Sequence, residues 1–209
     1  QSQPWFLWLA YNAPHTPFHL PPTNLHNQGD LPADDASIEA NPLPYYQAMI
    51  EAMDSEMGRL LSTMTQEDRD NTLIIFVGDN GTPSEVVQEY NSNRAKGSIY
   101  QGGVNVPMVI SGKNVTRVNE TEDALISTTD LFATIADVAG AGSSDTGDSH
   151  SFVGLLSSGN AIGRDFVYTE KYNAQTQGTD YTIRNATHKY IYFNSGAEAL
   201  YNLDENPFE

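Results

Sequence analysis

The stretch Asn71-Thr-Leu-Ile-Ile-Phe-Val-Gly-Asp-Asn-Gly81 decides the fold class of this chain. Its apolar part, Asn71 to Val77, is typical of a strand that is buried on both faces of a sheet. Polar residues follow where this strand ends, and open α/β sheets place their ligand crevices at the carboxyl ends of strands. The sequence therefore predicts that Asp79 and Asn80 lie at a crevice. Asp-Asn-Gly is also a common turn sequence, so a turn without a ligand is the alternative.

The sequence around this strand predicts further strands and helices. Trp5 to Ala10 (WFLWLA) has the pattern of another strand buried on both faces, and residues 18–44 read as a long surface loop. Apolar residues recur every three or four positions from Tyr46 to Met64, which predicts an amphipathic helix. Val104 to Ser111 predicts a strand near an edge or a bulge, because a proline interrupts it. A second helix is predicted from Asp130 to Ala139.

The last third of the chain differs from the rest in composition and in its hydrophobic pattern. Gly140 to Ser151 is rich in Gly, Ser and Asp, which indicates a boundary between a domain at 1–140 and a C-terminal subdomain at 141–209. Short strands are predicted at 166–172, 181–184 and 189–193, the last two joined by a hairpin turn at 185–188. The order of elements predicts an α/β portion followed by a small antiparallel sheet.

Composition excludes several classes of function. The chain has 209 residues, with 10 Lys or Arg and 27 Asp or Glu, so its formal charge is −17. Such an acidic chain argues against nucleic-acid binding, because phosphates need a basic face. The absence of cysteine excludes disulfides, thiolate metal sites and cysteine nucleophiles. No apolar run reaches the roughly 18 residues that cross a bilayer. An anionic substrate would be repelled at long range and needs a local cationic group.

Two residues are candidates for holding an anion. His15 follows the first predicted strand in a turn held by two prolines, where an imidazole can donate a proton or bind an anionic oxygen. A loop histidine bonded to the backbone is the alternative. Lys96 precedes Gly102-Gly103, a pair that lets the main chain approach a ligand closely. A solvated lysine is the alternative there. The other histidines have no comparable setting and are predicted to have no role in a site: His19, His26, His150 and His188.

These features occur in three longer segments: Tyr11-Asn-Ala-Pro-His-Thr-Pro17, Asn71 to Gly81, and Lys96-Gly-Ser-Ile-Tyr-Gln-Gly-Gly-Val-Asn-Val-Pro107. They resemble the later motifs of the type I sulfatases, which belong to the alkaline phosphatase superfamily. Tyr46 to Leu61, Asp130 to Gly140 and Leu200 to Glu209 match further family segments in the same order, so the resemblance covers nearly the whole chain. It implies the later half of an alkaline-phosphatase-like sandwich, a mixed sheet with flanking helices, followed by a small C-terminal antiparallel subdomain.

The resemblance implies a role for each candidate residue. Asp79 and Asn80 match the two late ligands of the family's single Ca²⁺, with Mg²⁺ as the other hard cation that oxygen ligands suit. Lys96 matches the lysine that holds a sulfate oxygen and neutralises charge in the transition state. His15 matches the histidine that faces the sulfate and its bridging oxygen. His15 and Lys96 are therefore the expected catalytic and substrate-binding residues.

The family's nucleophile is a formylglycine made within a Cys/Ser-x-Pro/Ala-x-Arg motif, and that motif is absent here. The chain is therefore expected to be the C-terminal part of a sulfuric-ester hydrolase, inactive without the upstream half of the same polypeptide. The expected substrate is a sulfated small molecule or sulfated glycan, and the expected location is the periplasm or exterior of a bacterium. The alternatives are a phosphonate or phosphodiester hydrolase of the same superfamily and a non-catalytic sulfoglycan-binding relative.

Overall fold

A computed structural model describes residues 3–142, 147–159 and 163–209 of the chain. The chain divides into two compact units, Gln1–Asp68 and Arg69–Glu209. The domain boundary predicted at residue 140 falls inside the second unit, and part of the predicted linker lies outside the described residues. Among the described helices, none is long and apolar enough to cross a membrane.

The first unit is helical. Helix α1 (Asp35–Ala40) begins at Asp34, whose side chain accepts a hydrogen bond from Ser37 N at 2.9 Å. Helix α2 (Pro42–Ser62) confirms the predicted amphipathic helix but begins four residues earlier than Tyr46. The predicted loop over 18–44 is therefore wrong in its last part. Pro42 and Pro44 indicated a loop, but they lie in the first turn of α2. Proline is tolerated there because the N–H that it lacks would have no partner within the helix.

The prediction of a buried strand at Trp5 to Ala10 is wrong. These residues form no strand, and Phe6 and Trp8 are 66% and 69% exposed. An apolar run becomes a buried strand only when neighbouring strands accept and donate its main-chain hydrogen bonds. The paired strands described in the structure all lie in the second unit and do not include this run.

The second unit contains the strand that the opening stretch predicts. Strand β1 (Leu73–Val77) pairs antiparallel with β2 (Met108–Gly112), and each β1 residue is half-buried rather than covered on both faces. Phe152, Leu155 and Leu156 form the buried cluster against which Leu73 packs. The β2 strand begins later than predicted because Gln101–Val104 forms a short helix, α4, and Pro107 cannot donate to a ladder.

The remaining elements follow the predicted order. Helix α3 (Gln66–Asp70) precedes β1, and helix α5 (Asp130–Val138) confirms the second predicted helix. An antiparallel sheet then follows in the order β3-β4-β5-β6, with strands Val167–Asn173, Gly178–Arg184, His188–Tyr192 and Glu198–Asn202. The predicted hairpin between β4 and β5 is confirmed, whereas β6 was not predicted. One face of this sheet is buried, as Thr182, Lys189 and Ile191 show.

Candidate active site

The turn after β1 is held on both sides by the segment before β2. Gly78 N donates to Pro107 O at 2.9 Å, and Gly81 N donates to Gly103 O at 3.1 Å. A Cβ at Gly81 would lie 1.9 Å from Gly102 O, so only glycine permits this approach of two main chains. Asp79 and Asn80 stand between these two fixed points, with Asp79 exposed and Asn80 half-buried.

The loop that carries Lys96 is bound to the same turn. Lys96 N donates to Thr82 O at 2.9 Å. Ala95 and Ile99 are almost fully buried on either side, whereas Lys96 itself is exposed. Gly97 has a φ of +80°, a conformation that favours glycine and lets the chain turn directly after the lysine. The structure thus joins the main chains that carry Asp79, Asn80 and Lys96 into one neighbourhood.

The glycine pair that follows Lys96 serves main-chain packing within this neighbourhood. A Cβ at Gly103 would lie 2.2 Å from Ser98 O, and one at Gly102 would lie 2.6 Å from Arg94 O. Both glycines are buried in α4. The sequence suggested a close approach to a ligand, and the structure shows a close approach to the loop of Lys96 instead.

His15 lies in the first unit, in a tight turn. Its main-chain N donates to Asn12 O at 3.0 Å, and both flanking prolyl bonds, 13–14 and 16–17, are cis. The ring Nδ1 lies 2.7 Å from Thr16 O. A carbonyl oxygen only accepts, so Nδ1 carries the proton and Nε2 is the ring atom available to a substrate. His15 and the other three candidates belong to different units, so their convergence stays a prediction.

A pocket of about 420 Å³ lies within the first unit, lined by residues on both sides of His15 in the sequence. Its walls are mostly apolar and include Tyr11, Pro22, Met49 and Met53. His19 also lines it, although its sequence setting predicted no role. Apolar walls with a few polar groups, such as the Tyr11 hydroxyl and the His19 ring, suit the ring of a bound organic group.

Asp79 and Asn80 fit a hard cation by chemistry but not by number. Carboxylate and amide oxygens are donors that Ca²⁺ accepts, and Ca²⁺ takes about 6–8 of them. Within 3–142, 147–159 and 163–209, no group of three or more His, Asp or Glu side chains could hold a metal ion. The two residues therefore fit part of a coordination sphere.

A buried ion pair near this neighbourhood was missed by the sequence reasoning. Lys189 Nζ lies 3.0 Å from Glu209 Oε1, and Gln101 N donates to Glu209 Oε2 at 2.7 Å. Burial lowers the pKa of Lys189, while Glu209 acts in the opposite direction. The alternation of β5 was a usable signal, because it places Lys189 on the same face as the apolar Ile191.

Another buried pair supports the start of α5. Asp130 accepts hydrogen bonds from Ser127 N at 2.7 Å and from His150 N at 2.8 Å, and Arg164 Nε donates to it at 2.8 Å. Burial by itself would raise the pKa of Asp130, but the Arg164 and main-chain hydrogen bonds outweigh it and hold the pKa below its usual value. Asp130 thus ties the start of α5 to the segments that carry Ser127, His150 and Arg164.

Comparison with known proteins gives a consistent result. The Sulfatase family model matches residues 1–141. An uncharacterized sulfatase of Escherichia coli, YdeN, is 31% identical over 145 residues, which cover 66% of this chain and 24% of that protein. Among solved structures, Ps i-CgsB in complex with k-i-k-neocarrahexaose superposes with a TM-score of 0.73 and 25% identity, over 100% of this chain and 46% of that one.

A phosphonate monoester hydrolase of Agrobacterium radiobacter shares the fold at a TM-score of 0.59 and 21% identity, over 79% of this chain and 36% of that one. The chain thus spans less than half the length of each of these three proteins. These similarities confirm the predicted α/β class, with the later half of the sandwich followed by an antiparallel subdomain.

Proposed function

This chain belongs to the sulfatase family, and we propose on that premise that it forms the later part of a sulfuric-ester hydrolase. The observation that carries the proposal is the main-chain linkage between the Asp79-Asn80 turn and the Lys96 loop. On this proposal, Asp79 and Asn80 would supply oxygen ligands for a cation, and the ammonium group of Lys96 would lie beside them at the end of β1. That combination suits the negatively charged oxygens of a sulfate ester.

Lys96 would neutralise the negative charge of the bound sulfate ester. The chain carries a formal charge of −17, so a sulfate ester is repelled until a local cation compensates. Lys96 is exposed on a loop with buried flanks, so its main chain is fixed while its ammonium group can reach a sulfate oxygen. A charge held in place before the reaction stabilises the transition state more than the ground state.

Asp79 and Asn80 would hold Ca²⁺, or Mg²⁺ in its place, through their side-chain oxygens. When bound, that ion would polarise the sulfate group as a Lewis acid. His15 would act at the leaving-group oxygen through Nε2, since Nδ1 donates to Thr16 O. Protonated at both nitrogens, His15 would donate the Nε2 proton to the departing oxygen, which leaves as an alcohol; neutral, it could only accept a proton at Nε2.

The nucleophile would come from the upstream half of the same polypeptide as a formylglycine, because this chain contains no Cys/Ser-x-Pro/Ala-x-Arg motif. The apolar run of Trp5 to Leu9 is exposed, and contiguous apolar residues rarely face water together. This exposure supports the proposal that the upstream half covers the run in the complete polypeptide. The complete polypeptide, meaning this chain joined to that upstream half, would be a periplasmic or secreted bacterial enzyme.

A sulfated glycan is the substrate class that the comparison with Ps i-CgsB favours, because that protein is solved with an oligosaccharide. The test is a pair of rates measured on the complete polypeptide, one with an aryl sulfate and one with the matching aryl phosphonate. The proposal expects the larger kcat/KM on the sulfate. A larger value on the phosphonate would favour the other superfamily activity, and no turnover of either would favour a non-catalytic glycan-binding protein.

A further inference from the structure

A buried network joins the C-terminal segment to the loop that carries Lys96. The side chains of Lys189 and Glu209 are 1% and 0% exposed, and they form an ion pair at 3.0 Å. A buried pair of charges is weak evidence for stability, because desolvation cancels much of the attraction. The contacts that Glu209 makes with Gln101 and Arg94 indicate a second role for the pair.

Glu209 contacts the Lys96 segment at both ends. Its Oε2 accepts a hydrogen bond from Gln101 N at 2.7 Å, five residues after the lysine. Its main-chain oxygen accepts a hydrogen bond from Arg94 Nη1, two residues before the lysine. Lys189 adds a long contact of 3.4 Å to the side chain of Gln101. The segment that contains Lys96 is therefore held at two points by one residue.

Aromatic side chains reinforce the same junction. The rings of Tyr90 and Phe208 meet edge to face with centroids 5.1 Å apart, and Tyr100 meets Tyr201 at 6.2 Å. The Arg94 guanidinium lies 4.6 Å from the centroid of the Tyr100 ring. These contacts restrict the segment on either side of Lys96, while Lys96 itself stays exposed.

We infer that Glu209 is a positioning residue for Lys96, acting through its hydrogen bond to the main chain of Gln101. The inference rests on the proposed function, since it assigns a support to the lysine that meets the sulfate. With Gln101 N fixed by Glu209 and Lys96 N fixed by Thr82 O, the loop has one defined path between the two bonds. Loss of the first bond frees the loop without touching the substrate.

The test uses two double variants of the complete polypeptide. Both carry Lys189→Met, which removes the buried cation, and they differ only in Glu209→Gln against Glu209→Ala. The glutamine carbonyl can still accept from Gln101 N, whereas alanine cannot. Glu205→Gln is the matched control, because Glu205 is an exposed carboxylate of the same segment. Amide hydrogen exchange of residues 94–104 and steady-state rates on an aryl sulfate are measured for each.

The alanine variant is expected to exchange the Gln101 amide about tenfold faster than the glutamine variant. Its kcat is expected to fall by about tenfold or more, with KM nearly unchanged, as for other outer supports of catalytic groups. The control should match the parent. Equal exchange and equal kcat in the two double variants would overturn the inference, as would a rise in exchange that extends equally over β4 and β5. If the parent shows no turnover, the proposed function fails, and the exchange data still decide the role of Glu209.

Discussion

Replacement of Gly81 by alanine tests the junction between the Asp79-Asn80 turn and the Lys96 loop. The new Cβ would lie 1.9 Å from Gly102 O and 2.7 Å from Gly103 Cα, both main-chain atoms. Contacts under 3.0 Å are essentially never seen for Cβ, so the two segments must separate by at least about 1.1 Å. The hydrogen bond from Gly81 N to Gly103 O, now 3.1 Å, would then be lost.

The loss of unfolding free energy in Gly81→Ala follows from the steric contact, the lost hydrogen bond and the change in the unfolded chain. Overpacking costs about 1–3 kcal/mol, and a lost hydrogen bond costs about 1 kcal/mol. The smaller entropy of the unfolded alanine chain returns about 0.5–1 kcal/mol. Gly81→Ala should therefore lower the free energy of unfolding by about 2 kcal/mol and lower the Tm accordingly. A shift of about 1 Å between catalytic groups should also lower kcat on a sulfate ester by about a hundredfold.

The assay is a thermal melt together with steady-state rates on the complete polypeptide. Gly58→Ala is the matched control, because nothing lies within 4 Å of a Cβ at that helical position. Alanine is preferred over glycine in a helix, so this control should be about 0.5–1 kcal/mol more stable than the parent. An unchanged Tm and kcat for Gly81→Ala would refute the close contact of the two main chains.

Three further predictions concern single residues. Lys96→Ala should lower kcat on sulfate esters by about a hundredfold or more in a steady-state assay, whereas Lys113→Ala, at another exposed lysine, should not. Removing Ca²⁺ with a chelator should abolish turnover, and Asp79→Asn should weaken Ca²⁺ binding by about tenfold in a calorimetric titration. Because the pKa of Asp130 is lowered in the folded protein, its contribution to stability is present above the ordinary carboxyl pKa of about 3.9 and is lost as the pH falls through the folded value. Asp130→Asn, which breaks the buried pair with Arg164, should cost about 3 kcal/mol at pH 7, and its melting temperature should depend less on pH below about 4 than that of the parent.

Periodicity and turn chemistry predicted the local elements well. The methionine stripe predicted α2, and the apolar run before Gly78 predicted β1, because burial of one face imposes these patterns on the sequence. Asp79 and Asn80 follow the end of β1, as predicted, and their role as ligands stays a prediction. Pattern reasoning failed at Trp5 to Ala10, since an apolar run specifies a strand only when partners are present.

The supports of the candidate site could not be predicted, because they join residues far apart in the sequence. Glu209 and Gln101 are 108 positions apart, and nothing in either local sequence indicates their hydrogen bond. The sequence showed the paired glycines at 102–103, but it did not show that they pack against the loop that carries Lys96. A glycine signals that a close approach occurs and leaves open which atoms make it.

The most direct test of the account is sulfate-ester turnover by this chain with and without the upstream half. The 209 residues alone are expected to show no hydrolysis of an aryl sulfate and to bind a hydrophobic dye through the exposed side chains of Trp5, Phe6 and Trp8. Supplying the upstream half, in the same chain or as a partner, should restore Ca²⁺-dependent turnover and suppress dye binding. Turnover by the purified 209 residues, or a cooperative monomeric melt without dye binding, would contradict the claim that the chain is the later part of a divided sulfatase.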